Sequence, residues 1–267
     1  MQYIQKSFHY FRILLQLMRI GLVRKSHFRV EFFSQVIMDT VWYLSHLLIF
    51  EILYLHTVSI AGWEKPQMRV LLGCLFVSDA FMMAWMGQQW HFGNDLKNGK
   101  LDPFRVRPAS PIFLYFFQRF SPEGFTNLFF GFSYLLYALS VVTPHSLPCT
   151  LFFLGWSVLL SWWGRGILLI FFSTVEFYIL NSNLGHFMNE FHMAAEDRPL
   201  DIFSARIRSF LIFILPVGAL SYIPACFLLG KVSVFFMAFF SLWLFAMGLA
   251  IFRFWNFSFR RYESAMG

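Results

Sequence analysis

VSVFFMAFFSLWLFAMGLAIF, running from Val232 to Phe252, carries no charged side chain. A helix of about 20 such residues rises about 30 Å, the thickness of a bilayer's hydrocarbon core. Working back toward the N-terminus, comparable stretches recur at Ser209–Leu229, Leu147–Phe172, Glu123–Thr143, Met68–Trp90 and Gln35–Thr57, separated by polar breaks. Six such stretches make residues 35–267 one membrane domain, and the fold expected is all-α and polytopic. Function is then to be sought in transport, membrane enzymology or membrane assembly.

Composition agrees. Only 13% of the chain is charged, against roughly 25% in soluble domains. The 38 phenylalanines, with Gly and Pro inside apolar runs, suit helices in lipid. No stretch is long enough for an additional soluble domain. Cys74, Cys149 and Cys226 lie far apart and match no disulfide or zinc spacing, so they read as small packing residues.

Residues 1–34 follow another pattern. Ile4, Phe8, Phe11, Leu15, Met18 and Leu22 alternate four and three apart and share one helical face, with Lys6, His9, Arg12, Gln16 and Arg19 on the other. A secretory signal would show a compact apolar block and a small-residue cleavage site instead. An amphipathic helix lying along the bilayer, its cations toward anionic headgroups, is expected. A helix packed on a partner's soluble domain is the alternative.

Cation placement sets orientation. Residues 1–34 carry Lys6, Arg12, Arg19, Arg24, Lys25 and Arg29. Lys97, Lys100, Arg105, Arg107 and Arg119 follow the second span. Arg198, Arg206 and Arg208 follow the fourth, and Arg253, Arg260 and Arg261 lie in the tail. The opposite side holds only Lys65, Arg69 and Lys231, a balance of seventeen to three that puts both termini in the cytoplasm. Two regions break the pattern. Residues 111–143 exceed one span and contain Pro122, which calls for an interfacial helix before the third span. Pro216, Pro224 and Gly230 interrupt 209–252, which predicts short broken or re-entrant helices before the last span, where protein or a wet cavity shields the backbone.

Ionisable residues inside spans cost on the order of 2.5–3.5 kcal/mol at mid-bilayer and so face protein or water. Here they are Asp39, His46 and Glu51 in the first span, Asp79 in the second, and Arg165 and Glu176 in or near the fourth. Asp39 and His46 share a helical face. Such groups form either a polar pathway wall or proton relay, or interhelical pairs such as Asp79 with Arg165. The tryptophans, Trp42, Trp85, Trp162, Trp163, Trp243 and Trp255 among them, line a substrate path or, for most, form the interfacial belt and lipid-facing packing.

Two local motifs are set aside, one on spacing and one on loop length. Gly93 to Leu101 resembles a phosphate loop but has five residues between its glycines and Leu after Lys, so it lacks the Mg²⁺-binding hydroxyl. His186, Glu190 and His192 offer metal-ligand types, and His192 with Asp197 matches an H-x4-D acyltransferase spacing. The loop around them is too short for a catalytic domain. It reads instead as a helix beneath the fourth span, with Glu190, Glu196, Asp197 and Asp201 beside Arg198, Arg206 and Arg208.

A more extended pattern covers nearly the whole chain. Gly62-Trp63 precedes the second span. Gly99-Lys100-Leu101-Asp102 and Arg107-Pro108 follow it. Leu215-Pro216, Pro224-Ala225, Leu228-Leu229-Gly230 and Tyr262-Glu263-Ser264-Ala265 come later. This order resembles the six-span permease subunits of type 2 ABC exporters, in the branch of uncharacterised and viologen-type efflux permeases. The tail reads Ser-Ala-Met-Gly where that branch has Ser-Ala-Gly.

The resemblance implies an N-terminal interfacial helix, cytoplasmic termini, and a second permease, either a homologous chain or a second copy, facing this one around the pathway. ATP and Mg²⁺ would sit on separate ABC ATPase subunits, with no cofactor on this chain. It further implies that the loop 94–108 docks on the ATPase. Gly99 would permit a tight turn, Leu101 would be the apolar anchor, and Asp102 and Arg107 polar contacts. Asp95, Lys97, Lys100, Arg105, Pro103 and Pro108 fill out the loop. The cargo expected is apolar or amphipathic, moved by alternating access across the inner membrane, with no nucleic acid involved. A membrane-embedded acyltransferase using His192 and Asp197, and a non-catalytic assembly scaffold, are the rival readings.

Overall fold

Three glycines decide how the two central helices meet. Helix α3 (Lys65–Trp85) runs antiparallel to α7 (Glu123–Val142). A Cβ on Gly73 would lie 2.9 Å from the Leu135 backbone. One on Gly131 would lie 3.0 Å from Phe76, and one on Gly124 2.5 Å from Ala84. The helices therefore touch backbone to backbone along most of their length, the way small residues bring helices together where lipid supplies no hydrophobic drive.

The computed structural model describes residues 2–142, 147–179 and 195–262. Among the described residues the chain is all-α apart from one hairpin. Helix α1 (Gln2–His27) breaks at Phe28, and α2 (Arg29–His56) follows. Strands β1 (Ser59–Ile60) and β2 (Trp63–Glu64) pair antiparallel through Ala61 and Gly62, at φ 50° and 82°, the positive angles a two-residue hairpin turn needs. After α3 come a 3-10 turn at Gly87–His91 and three short helices: α4 (Phe92–Lys97), α5 (Asp102–Arg105) and α6 (Pro111–Phe117). Beyond α7, α8 spans Leu147–Glu176. Then follow α9 (Ala205–Phe213), a 3-10 turn at Pro216–Ala219, α10 (Tyr222–Leu228) and α11 (Val234–Arg261). Among the described residues five helices, α2, α3, α7, α8 and α11, are long and apolar enough to cross a membrane.

The bundle has two distinct ends. Tyr54 donates to the Trp63 carbonyl at 2.7 Å, and Lys231 to Gln67 at 2.8 Å, so the end of α2 and the start of α11 meet at the hairpin. At the other end Phe92 packs on Trp255 and Phe177. Around the axis, α2 leans on α7 and α3 through Tyr43, Phe76 and Phe130, and α8 closes the other side.

Several expectations change here. The single span expected at 209–229 is not a continuous helix: Pro216 and Pro224, which lack the N–H an interior turn needs, divide it into α9, a turn and α10. The chain dips to mid-bundle, where Ala219 meets Gly164, and returns to a left-handed Gly230 (φ 69°). There Lys231 N–H caps the Cys226 carbonyl at 2.8 Å. A short helix, α6, precedes the third spanning stretch, where an interfacial helix is expected.

The segment 195–208 does not lie beneath the fourth span. Trp63 and Tyr222 both donate to Asp201, at 2.8 and 2.9 Å, which fixes it at the hairpin end. Glu176, by contrast, lies beside Gly93 at the other end. The orientation count had assigned Arg198, Arg206 and Arg208 to the wrong side. Residues 186, 190 and 192 lie outside the described residues, as does the Ser264-Ala265 tail motif.

Along α1, Phe8, Phe11, Leu15 and Leu22 are exposed as an outward apolar stripe. A second stripe faces inward: Tyr10 packs on Phe113, and a Cβ on Gly21 would meet the Phe120 carbonyl at 2.6 Å.

Candidate functional site

At the end away from the hairpin, residues 86–117 fold into a compact body rather than a loose loop. Helix α4 closes on Gly99, whose φ of 65° lets Lys100 N–H reach the Asp95 carbonyl at 2.9 Å. The buried Asp95 carboxylate accepts from Lys100 Nζ at 2.8 Å and from the Tyr115 hydroxyl at 3.0 Å, tying α4 to α6. Phe92, Leu96, Leu101, Phe104, Tyr115 and Trp255 form one apolar cluster. The Tyr262 hydroxyl donates to the Leu96 carbonyl at 3.3 Å, and Ser110 N–H donates to the Tyr10 hydroxyl at 3.0 Å. This body is thus fastened to α11, to α1 and, through Phe177, to the end of α8.

Leu101 is fully buried, with 0% of its surface exposed. It cannot be an external anchor. The apolar core under α4 and α5 takes it, a burial that contributes about 1.5–3 kcal/mol to this body. Val106, 85% exposed, stands outside instead. Arg105, Arg107 and Pro108 surround it, with Lys100 and Pro103 also outward. Arg107 lies over the Phe104 ring at 5.1 Å, which fixes its direction. Asp102 is half-buried at the start of α5. The outward face is therefore basic through Arg105 and Arg107, with Val106 at its centre, while Asp95 offsets Lys100, with which it pairs. Trp255 also departs from expectation. It is buried in the cluster rather than standing in a belt, whereas Trp163 and Trp243 are exposed.

Inside the bundle the ionisable residues pair across helices. Arg165 of α8, buried, binds Glu196 at 2.6 Å, Asp79 at 3.6 Å and the Ser78 hydroxyl at 3.1 Å. The Asp79 pair was expected. Glu196, the closer partner, was not, since its sequence position suggested a surface loop. Asp39 accepts from Asn127 at 2.6 Å and Gln35 at 2.7 Å, a link from α2 to α7. His46 meets the Trp42 carbonyl of its own helix at 3.1 Å. Glu51 pairs with Lys65 and Arg69 beside the hairpin. The geometry is that of struts between helices. Nearer the other end Lys25 bridges Glu31 and Glu123, at 2.8 and 2.9 Å, and holds α1 to α2 and α7. Burial lowers the Lys25 pKa, but the two carboxylates outweigh it and the net shift is upward.

The acyltransferase pair cannot be assembled from described residues: His192 lies outside them, and Asp197 pairs with Arg198 at 2.9 Å. The phosphate-loop look-alike is also accounted for, because Gly93 to Lys97 are helical and a 3-10 turn, not a β-strand, leads into them.

No curated protein and no solved structure matches the chain. A family model described as "ABC-2 family transporter protein" does, over residues 40–266. The chain therefore belongs to the ABC-2 family, as a non-catalytic membrane permease component that carries no cofactor and leaves ATP to a separate ATPase.

Proposed function

We propose that the chain is half of the membrane pathway of an ATP-driven exporter. A second permease, the same chain or a homologue, supplies the other half, and the 94–108 body receives the ATPase. One observation carries this reading: a basic outward face centred on Val106 whose underside is locked to α8 and α11 through Phe177, Trp255 and Tyr262. A solvated linker needs no such buried base. A partner pressing on Val106 would move the ends of two spanning helices together, which is what alternating access requires. The partner's groove would be acidic around an apolar hole, the complement of Arg105, Arg107 and Val106. The cargo is apolar or amphipathic, in keeping with the Phe-rich chain.

Topology follows the same reading. Phe177 belongs to the loop end and Asp201 to the hairpin end, and residues 205–228 read as a re-entrant pair entering from the hairpin end. Both termini are then at the loop end. Fourteen cations lie there against six at the hairpin end once Arg198, Arg206 and Arg208 are moved. That balance still puts the loop end in the cytoplasm. Helix α1, its Phe8–Leu22 stripe outward, rests on that surface of the inner membrane. The test is a Val106→Cys chain carrying a short photo-crosslinker in intact cells. Capture of a phosphate-loop ATPase is expected, and a free chain beside an assembled transporter would refute the docking assignment.

A further inference from the structure

Between α8 and α11 the apolar packing is incomplete. A cavity of about 310 Å³ opens sideways there, bounded by Trp162, Trp163, Gly166, Ile167, Gly248 and Phe252 and by other side chains that are all apolar. Trp163 and Phe252 are exposed, so the groove opens onto the outer surface of the bundle. Glycines shape it. A Cβ on Gly248 would lie 2.8 Å from the Trp163 ring, so that ring lies against α11 only because residue 248 has no side chain. A Cβ on Gly166 would meet nothing nearer than Met86 Sδ at 3.9 Å, and the open space beside it is the groove.

Two arginines adjoin lining residues on the side toward the loop end. Arg253 follows Phe252 and stands one helical turn below Leu249, which also lines the groove. Arg119 lies two residues after the lining Phe117. Both are exposed, and among the described residues neither enters an ion pair.

We propose that this groove binds one acyl chain of an anionic phospholipid from the leaflet on the loop side, with its phosphate on Arg253 and Arg119. An acyl chain matches a narrow, wholly apolar slot open to lipid, and an anionic head matches the two cations at its mouth. A second copy seated here would have to bury those arginines against arginines or leave them unpaired.

The full chain is reconstituted in phosphatidylcholine vesicles doped with a phosphatidylglycerol or phosphatidylcholine analogue bearing a diazirine in one acyl chain. Labelled peptides are then mapped by mass spectrometry. The anionic analogue should label 162–170 and 245–252 at least about fivefold above the zwitterionic one, and Arg253→Gln should remove about that factor, the worth of one cation near the surface. Gly166→Leu should fill the groove and abolish this labelling while the exposed face of α2 stays labelled. Should that variant not fold, Leu249→Trp narrows the slot from the opposite wall. Equal labelling by the two analogues overturns the proposal. So does labelling that survives both groove-filling variants, or a cysteine at Leu249 that cross-links two copies in unlabelled protein.

Discussion

The Trp63 indole N–H donates to Asp201 at 2.8 Å across 138 positions of sequence. This bond links the turn between the first two spanning helices to a segment that sequence reasoning put on the opposite side of the membrane. Tyr222 and Arg208 bind the same carboxylate, and Lys231 lies over the Trp63 ring at 3.7 Å, so the hairpin, the α9–α10 segment and the start of α11 meet at one point.

Topology is tested first. Cysteines at Ser59 and Arg206 should both react with an impermeant thiol reagent in intact cells, while one at Val106 should react only after permeabilisation. Cys74 and Cys226 are buried and should give little background. Labelling of Ser59→Cys without Arg206→Cys would return residues 195–208 to the cytoplasm.

The Asp201 cluster should matter for stability. Asp201→Ala leaves the Trp63 N–H and Tyr222 hydroxyl without their acceptor, at a cost of about 1–3 kcal/mol per stranded buried group. Trp63→Phe removes one donor, an indole packed at 1% exposure, and nothing else from the carboxylate. Thermal unfolding in detergent should fall for both, with Asp201→Ala the lower. No change in either would mean that the cluster contributes nothing to holding the re-entrant pair.

Arg165 supports a double-mutant test. Arg165→Leu strands Glu196 and Asp79 in the interior, and breaking a buried pair this way costs about 3–5 kcal/mol. Adding Glu196→Leu should recover a large part of that loss, because the nearer carboxylate is then gone. A double variant no more stable than Arg165→Leu would show the 2.6 Å contact to be energetically idle.

What the sequence made legible was whatever local pattern controls. Apolar length located five spanning helices, Pro122 announced α6, and the Pro216–Gly230 punctuation announced broken helices. It could not show the depth to which a chain returns. Glu196 and Asp201 look like surface acids because their neighbours are Arg198, Arg206 and Arg208, and only distant partners, Arg165 and Trp63, reveal where they sit. Gly124 and Gly131, seven apart on one face, were a readable signal for the α3–α7 contact. The body at 86–117 misled for a related reason. A charged run with two prolines reads as open loop, yet Phe92, Leu96, Leu101 and Phe104, three to five positions apart, pack beneath it.

That difference makes Leu101 and Val106 an informative pair. They lie five residues apart in the same loop, one with no exposed surface and one with 85%. Leu101→Asp would put a charge among Phe92, Leu96, Tyr115 and Trp255, with no partner arranged for it, so the body should come apart. Its expected outcome is low yield, a depressed melting temperature and loss of the ATPase as a consequence. Val106→Asp changes only the outward face. It should leave yield and melting temperature at wild-type values yet prevent the ATPase from co-purifying, and Val106→Leu should retain it. If Val106→Asp keeps its ATPase and transports normally, the outward face of α5 is not the docking surface. If Leu101→Asp is as stable as the wild type, the packing of the cluster itself is wrong.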